Sequence, residues 1–573
     1  MKIRPNQGQG KEKLQSVFLG LVDFVRLAPT LMWQYGKIGN RSNRGNRSNR
    51  GIPLFHLLRL FPLFLHDELI FIFRYYFHMP LTLYNTFSNR EEEFKSIEDK
   101  KVKMYTCGPT VYGRPHIGNY SSFLMADLFR RWLEVSGYQV THVKNITDVG
   151  HLVADAEEGE DKVEKEARRM AREERGENAE ITMENVLSVA KMYTEQYLED
   201  EKALKIIEAT HRPRASETIA EMIKMIEILI KKGHTYETDD AIYFSIESFP
   251  DYGKLSGNIL ENLESCDRVE KKEQKRHSAD FALWKKCVGS NENHVLRWDS
   301  PWGEGFPGWH IECSAMSTKF LGEEIDVHTG GEDNIFPHHE CEIAQSECAS
   351  GKKFVRFWLH KRRIDMGKEK MSKSLGNVLT LDDIRNQGYS PLDLRYYFLS
   401  VHYRTQLKFT EKGLKDAHKA RRKILEWMEE VESYKLKVEG SEESETLNIQ
   451  PSTFNEVQVF LGKFTDAMNS DLNTPAALAV VFDFMTWTRT QESMDQKTLE
   501  NVGTFITMIR QTFGCFDAEK ADSIPSEVQQ LLNKRKMARD KKDFEKSDKL
   551  RDQITELGYE VRDEGGEQVV KKL

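Results

Sequence analysis

Apolar and polar positions along the chain change period several times, and each change marks a different kind of element. In LTLYNT (81–86) and VKMYTC (102–107) apolar residues alternate or cluster, which predicts strands. Residues 119–136 instead carry them three and four apart and stop at Gly137, the pattern of an amphipathic helix. YQVTHVKN (138–145) predicts the next strand. A strand, a helix and a parallel strand make a βαβ unit, so the expected fold is α/β, built on a Rossmann-like doubly wound parallel sheet.

Beyond this unit the pattern shifts. Residues 155–177 are dense in acids and bases and predict an exposed helix or lid, following NITDVGH (145–151) at the end of a strand. A helical stretch, 215–232, leads into the alternating pair TYETDDAIYFSI (235–246), then DYGKLSG (251–257) and DFALWK (280–285), which predicts an insertion over 212–300. The parallel sheet resumes near Trp309. After residue 376 the periodicity is helical to about Phe516, broken by a polar linker at 438–451, and predicts a bundle in which NTPAAL supplies a cap and a first-turn proline.

Composition adds limits. With 573 residues, 39% hydrophobic and 10% aromatic, the chain has material for several cores. Its net charge of −8 argues against a general polyanion binder but hides an asymmetry: residues 1–78 hold twelve Lys/Arg against four Asp/Glu, leaving −16 for the remaining 495. That N-terminal segment repeats NRSNRG in tandem at 40–51, then runs apolar from Ile52 to Phe77. Arg59, Asp67, Glu68 and Arg74 cut the run into pieces well short of the ~20 residues a membrane span needs, so no membrane partner is expected. Met79 opens what looks like an ordinary N-terminus; a start codon assigned too early, a targeting segment and an interaction arm are the three readings of 1–78. Seven scattered cysteines, an odd number in a long chain, predict a reducing, cytoplasmic setting with thiols kept for metal or substrate, or an organellar one if 1–78 is a presequence.

Candidate chemistry concentrates in residues 305–342, which gather Cys313, His328, His338, His339 and Glu342 around a Gly-Gly pair. His338 and Glu342 are four apart, so both project from one face if Pro337 opens a helix. Thiolate, imidazole and carboxylate suit zinc; three ligands leave a position open, and a closed site needs a fourth. Cys107 is the candidate, although taken alone it reads first as a buried core thiol. Close behind it, His116, Ile117, Gly118 and Asn119 open the predicted helix, where N–H groups and the dipole favour phosphate. KMSKS (370–374) sets Lys370 and Lys373 in a glycine-flanked loop.

HIGN followed by KMSKS resembles the double signature of class I aminoacyl-tRNA synthetases. CGPTVY, GWHIECSAM and PHHECEIAQS narrow the resemblance to the cysteinyl-tRNA synthetase family, from about Leu81 to near the C-terminus. The resemblance implies one Zn2+ per chain on Cys107, Cys313, His338 and Glu342, and ATP with Mg2+ as a substrate contacted by His116, Asn119, His328 and Lys373. It implies catalytic roles for His116, Asn119, Lys370 and Lys373, and places Thr147, Trp309 and Asp333 around the amino acid. Its partners would be L-cysteine and tRNA(Cys), its state a monomer. Zinc would prefer a thiolate to serine's hydroxyl, so no editing domain is needed.

Three positions depart from the family pattern: Thr329 for a usual glycine, Cys341 for asparagine and Phe306 for arginine. Cys341 is one residue from Glu342, a step that turns it roughly 100° off the ligand face. The expected plan is a basic and apolar extension (1–78), the sheet's first half (79–211), the insertion (212–300), the second half (301–364), the KMSKS loop and stem-contact region (365–425), a bundle (426–520) and an anticodon-binding region (524–573). In the last, nine Lys/Arg against four Asp/Glu between Leu531 and Arg551 predict an RNA-facing stripe. Two rivals are a cysteine ligase of mycothiol synthesis, which lacks the anticodon region, and a silent paralogue, which has no reason to keep both signatures and all four ligands.

Overall fold

The switch between the two windings of a parallel sheet organises the molecule. A computed structural model describes residues 79–150, 152, 160–258, 274–366, 379–439, 452–491, 493–517, 526–541, 543–564 and 567–572, all within one unit, Tyr76–Leu573. The N-terminal extension, the KMSKS loop with Lys370 and Lys373, and nearly all of the polar linker lie outside the described residues.

Among the described residues the first elements are an antiparallel hairpin, Thr82–Asn85 (β1) and Arg90–Glu93 (β2), after which the chain enters the sheet at Lys101–Thr106 (β3). Helix Ile117–Val135 (α1) crosses over to Gln139–Lys144 (β4), which pairs parallel to β3 along its whole length. Helices Lys162–Arg175 (α2), Met183–Ala203 (α3) and Ile219–Lys231 (α4) lead out to an antiparallel sheet of Thr235–Glu237 (β5), Ala241–Phe244 (β6), Phe281–Lys286 (β7) and Gly305–Pro307 (β8), in that order. The chain returns through Trp309–Leu321 (α5), Ile325–Gly331 (β9), Glu340–Ser350 (α6) and Val355–Lys361 (β10). The parallel sheet runs β10-β9-β3-β4. From β3 the chain winds outward one way through α1, and from β9 the other way through α6, so the winding reverses between β3 and β9. Ligands of such sheets bind at this point, at the strands' carboxyl ends.

Local causes are visible in each element. In α1, His116 caps the first turn by accepting from the Asn119 N–H at 3.3 Å, while Asn119 returns the bond to the His116 N–H at 3.1 Å. Residues Ile325 to Gly330 of β9 are all buried, as a central parallel strand covered on both faces requires. The predicted helix 215–232 divides into a short turn, Ala215–Glu217, and α4, because Thr218 leaves helical geometry at φ −125 and ψ 19. β8 lies past residue 300, so the inserted sheet runs directly into α5. The charged stretch 155–177 holds α2 rather than a wholly solvated helix. Its face of Val163, Ala167 and Ala171 is buried, and Glu164 accepts from the Val295 and Leu296 N–H groups, both at 2.7 Å.

Helices Leu381–Asn386 (α7), Pro391–Leu399 (α8), Glu411–Glu439 (α9), Ser452–Asn469 (α10), Thr474–Thr490 (α11) and Gln496–Phe513 (α12) form the helical region, with Asn473 capping α11 as its sequence predicts. The back of α1 anchors it. Asp127 pairs with Arg395 of α8 and Arg131, and Arg395 also donates to Phe513 O and Leu204 O. Trp132 Nε1 donates to Asn469 Oδ1 at 2.9 Å. Last comes a small domain of Ser526–Asp540 (α13), Phe544–Glu556 (α14), Tyr559–Glu564 (β11) and Glu567–Lys572 (β12), closed around Val528, Leu532, Ile554, Tyr559 and Val561. Arg535, counted in the basic stripe, is buried here and bonds Asp563 at 3.0 and 2.8 Å and Gln568 at 2.6 Å. It is an interior strut, and the stripe's exposed members include Lys534, Lys536 and Lys541.

Candidate metal and substrate site

Cys107 follows the last residue of β3, and Cys313 lies on α5, which the inserted sheet delivers to the same place. Their sulfurs stand 3.9 Å apart, though 206 residues separate them in the chain. His338 Nε2 is 3.0 Å and Cys107 Sγ 3.7 Å from Glu342 Oε1. The ligand atoms of Cys107, Cys313, His338 and Glu342 all lie within 4.8 Å of one another. Two thiolates each ~2.3 Å from a tetrahedral ion stand roughly 3.8 Å apart, so this spacing fits zinc. A second grouping, Cys107, His328, His339 and Glu342, meets the same distance test. Both share Cys107 and Glu342, so they compete for one ion. The first offers two soft sulfur ligands, as zinc prefers, and the second only one.

The ligands are oriented from behind. His338 Nδ1 lies 2.9 Å from His310 Nδ1, and Gln345 Nε2 donates to His310 O at 3.0 Å. His328 Nε2 lies 3.0 Å from Glu342 Oε2, and its ring stacks on Trp358 with centroids 4.6 Å apart. Partners of this sort fix ring orientation and ligand basicity. Burial pushes the His338 imidazole down, but the Glu342 carboxylate and Cys313 outweigh it and raise it to about 10. Burial pushes Glu342 up, and His328 and His338 reverse this to about 2.

The substrate residues named from the sequence fall in different surroundings. Trp309 lies flat on His338, with centroids 4.3 Å apart and planes at 26°. Thr147 is buried; its hydroxyl accepts from Asn145 Nδ2 at 3.1 Å and its N–H donates to Pro109 O at 3.1 Å. That turn meets the one after Cys107 so closely that a Cβ on Gly108 would lie 1.6 Å from Asn145 O. Asp333 lies in the turn after β9, its side chain 52% exposed and 3.8 Å from Arg363. His328, which the resemblance assigns to ATP, has its ring wholly buried, with Nε2 3.0 Å from Glu342 Oε2.

Around the helix N-terminus, His116 is half-buried and Asn119 exposed. The Ile117 N–H donates to Leu379 O at 2.8 Å, which ties HIGN to the segment just past the KMSKS loop. Arg114 strengthens this joint. It bonds Asp200 at 3.0 and 2.7 Å and pairs with Asp382 of α7, while Tyr120 donates to Asp200 at 2.9 Å. Sequence reading missed Arg114, His310 and Glu312. Each adjoins a named motif, but only the tertiary structure gives Arg114 and His310 their partners and buries Glu312. Glu312 is buried beside Thr147, and burial, with Cys313 and Asp148 adding, drives its carboxyl well above the usual range.

The departures are absorbed locally. Thr329 Oγ1 lies 2.7 Å from Thr106 Oγ1, Phe306 stacks on His294 at 3.7 Å, and Cys341 faces the Tyr252 hydroxyl at 3.4 Å, away from the ligands. Among the described residues no helix is long and apolar enough to cross a membrane.

Known proteins resemble this chain over most of its length. The family model described as "tRNA synthetases class I (C) catalytic domain" matches residues 93–419, "DALR domain" matches 463–517, and "Cysteinyl-tRNA ligase anticodon binding domain" matches 521–570. Cysteine–tRNA ligase of Chlorobaculum tepidum is 40% identical over 502 residues, 84% of this chain and 97% of the relative. The Thermus thermophilus protein of the same name is 39% identical over 493 residues, 85% and 98% of the two chains. A solved ternary complex of Agrobacterium radiobacter LeuRS shares the fold, with a TM-score of 0.52 at 11% identity over 74% of this chain and 85% of that one. Identity at this level over nearly the whole of those relatives, together with the catalytic-domain match, shows that the chain belongs to the cysteine–tRNA ligase family of class I aminoacyl-tRNA synthetases.

Proposed function

We propose that the chain activates L-cysteine with ATP to cysteinyl-adenylate and pyrophosphate, then transfers the cysteinyl group to tRNA(Cys), with one zinc selecting the thiol. The observation that carries this reading is the convergence of two sulfurs, an imidazole and a carboxylate from separate elements at the point where the sheet's winding reverses. Cys107, Cys313, His338 and Glu342 would hold the ion, which supplies a site that a thiolate binds more strongly than a hydroxyl.

The remaining work falls to the chain's own residues. Trp309, flat on His338, walls the amino-acid side of the cluster; Thr147 and Asp333 are assigned to the rest of the amino acid, Asp333 as partner of its ammonium group. His116 and Asn119 present the first turn of α1 to the phosphates of ATP with its Mg2+. Lys370 and Lys373 neutralise charge as pyrophosphate departs, since this reaction asks the protein mainly for placement and electrostatic stabilisation. The small C-terminal domain engages the anticodon end of tRNA. The reading assigns the enzyme to the cytoplasm, since the site needs both thiols reduced, and takes it as a monomer.

Cysteine-dependent ATP–pyrophosphate exchange, followed by charging of purified tRNA, tests the proposal. Both activities are expected. Exchange without charging would replace the tRNA reading by a cysteine ligase acting on another amine, and no exchange with any amino acid would leave a silent paralogue.

A further inference from the structure

Three consecutive residues at the start of α6 face different ways. Glu342 joins the metal cluster, whereas Glu340 and Cys341 reach into the inserted region, toward DYGKLSG. Glu340 is fully buried, and its carboxylate accepts from the Gly253 and Ser256 N–H groups at 2.9 Å each and from Leu255 N–H at 3.4 Å. Converging backbone N–H groups of this kind form a concavity for an anion. The turn is shaped for it: Gly253 has φ +98, and a Cβ there would lie 2.1 Å from Asn258 O. Tyr252, whose hydroxyl meets Cys341, stacks on Phe281 of β7. The insertion thus holds the helical turn that carries Glu342 from its opposite face. A buried carboxylate is a costly way to pack a helix unless its position matters, because packing alone is served by an apolar residue.

We propose that Glu340 is a positioning residue for the metal group: through it the inserted domain sets the α6 turn, and so tunes zinc affinity and the preference for thiol over hydroxyl. This rests on the zinc reading above. Partners one step behind a ligand typically govern about 10- to 100-fold in metal affinity.

The full chain is tested as wild type, Glu340→Gln, Gly253→Ala and Tyr252→Phe. Glu340→Gln turns an NH2 toward the N–H groups; Gly253→Ala strikes the same junction from the insertion; Tyr252→Phe removes only a hydroxyl, so a folded variant remains if the others fail. Zinc affinity, the absorption of the Co2+-substituted protein, and the KM values for cysteine and ATP are measured. Glu340→Gln and Gly253→Ala are expected to weaken zinc binding at least ~10-fold, shift the cobalt bands and raise the cysteine KM with ATP KM unchanged. Tyr252→Phe shifts the bands less. The double variant Glu340→Gln/Gly253→Ala should be no worse than the poorer single one, since both break one junction. Wild-type zinc affinity, cobalt spectrum and cysteine KM in folded variants, with only thermal stability lowered, would overturn the proposal. A wild type that binds neither zinc nor cobalt would instead remove the zinc reading beneath it.

Discussion

The metal end of the catalytic sheet and the small C-terminal domain both depend on charge, and they handle it in opposite ways. At the metal end Glu342, His328, His338 and Cys313 are buried, and each has its partners set by a neighbouring element. In the C-terminal domain Lys534, Lys536 and Lys541 are exposed, and of the stripe's charges Arg535 is sealed inside against Asp563. The difference follows from the work assigned to each. Selecting a thiol and stabilising a departing phosphate need groups that do not reorganise, which burial secures. Meeting a polyanion needs accessible charge, whose contribution is spread over many phosphates and screened by salt.

The largest effect that would sharpen this contrast is at Cys313. Cys313→Ala should abolish stoichiometric zinc and lower kcat/KM for cysteine by at least ~10³, the order of several kcal/mol of ligand-specific binding. Zinc analysis and pyrophosphate exchange check it, and full zinc retention in both Cys313→Ala and Cys107→Ala would break the ligand assignment. Next, Lys373→Ala should slow activation by ~10² or more with zinc content intact, because it removes charge stabilisation alone. Unchanged exchange would take the KMSKS loop out of the chemistry.

Buried charge also links the sheet to the helical region. Burial pushes the Asp127 carboxyl up, but the Arg395 and Arg131 guanidinium groups outweigh it and hold it at about 2, below its ordinary 3.8. The unfolded chain therefore takes up that proton first as pH falls. The pair's stabilisation, on the order of 2 kcal/mol, is full above about pH 4 and is lost between there and pH 2. Unfolding measured across that window should show a flatter pH slope for Asp127→Asn than for the wild type.

A smaller effect is expected at the joint between HIGN and α7. Arg114→Gln should raise the ATP KM about 10-fold while leaving the cysteine KM and zinc content alone, since it loosens the nucleotide side without touching the cluster. Equal changes in both KM values would mean a general loss of fold. Smallest, neutralising Lys534, Lys536 and Lys541 should weaken tRNA binding a few-fold and leave cysteine activation unchanged. Its salt slope should fall by ~0.7 to 0.9 for each phosphate that a lysine no longer neutralises. Arg535→Gln should behave differently, unfolding the small domain rather than flattening the salt slope. If it acts like the lysine variants, the contrast between sealed and solvated charge fails there.

Much of this was legible in the residues. The strand and helix periods around 81–145 predicted the βαβ unit, because side-chain burial on a strand or helix face repeats at a fixed local spacing. Cys107, Cys313, His338 and Glu342 could be named together because short motifs carried them. The tertiary structure decided what those motifs could not carry. Asp127 finds Arg395 across 268 residues, and Glu340 finds Gly253 across 87. His328 meets Glu342 inside the fold, and Arg535 closes a core inside a stretch whose composition reads as solvated. Charge and period are properties of neighbours in the chain, while partners at such distances are chosen by packing, where a buried polar group must be paired or it destabilises the fold.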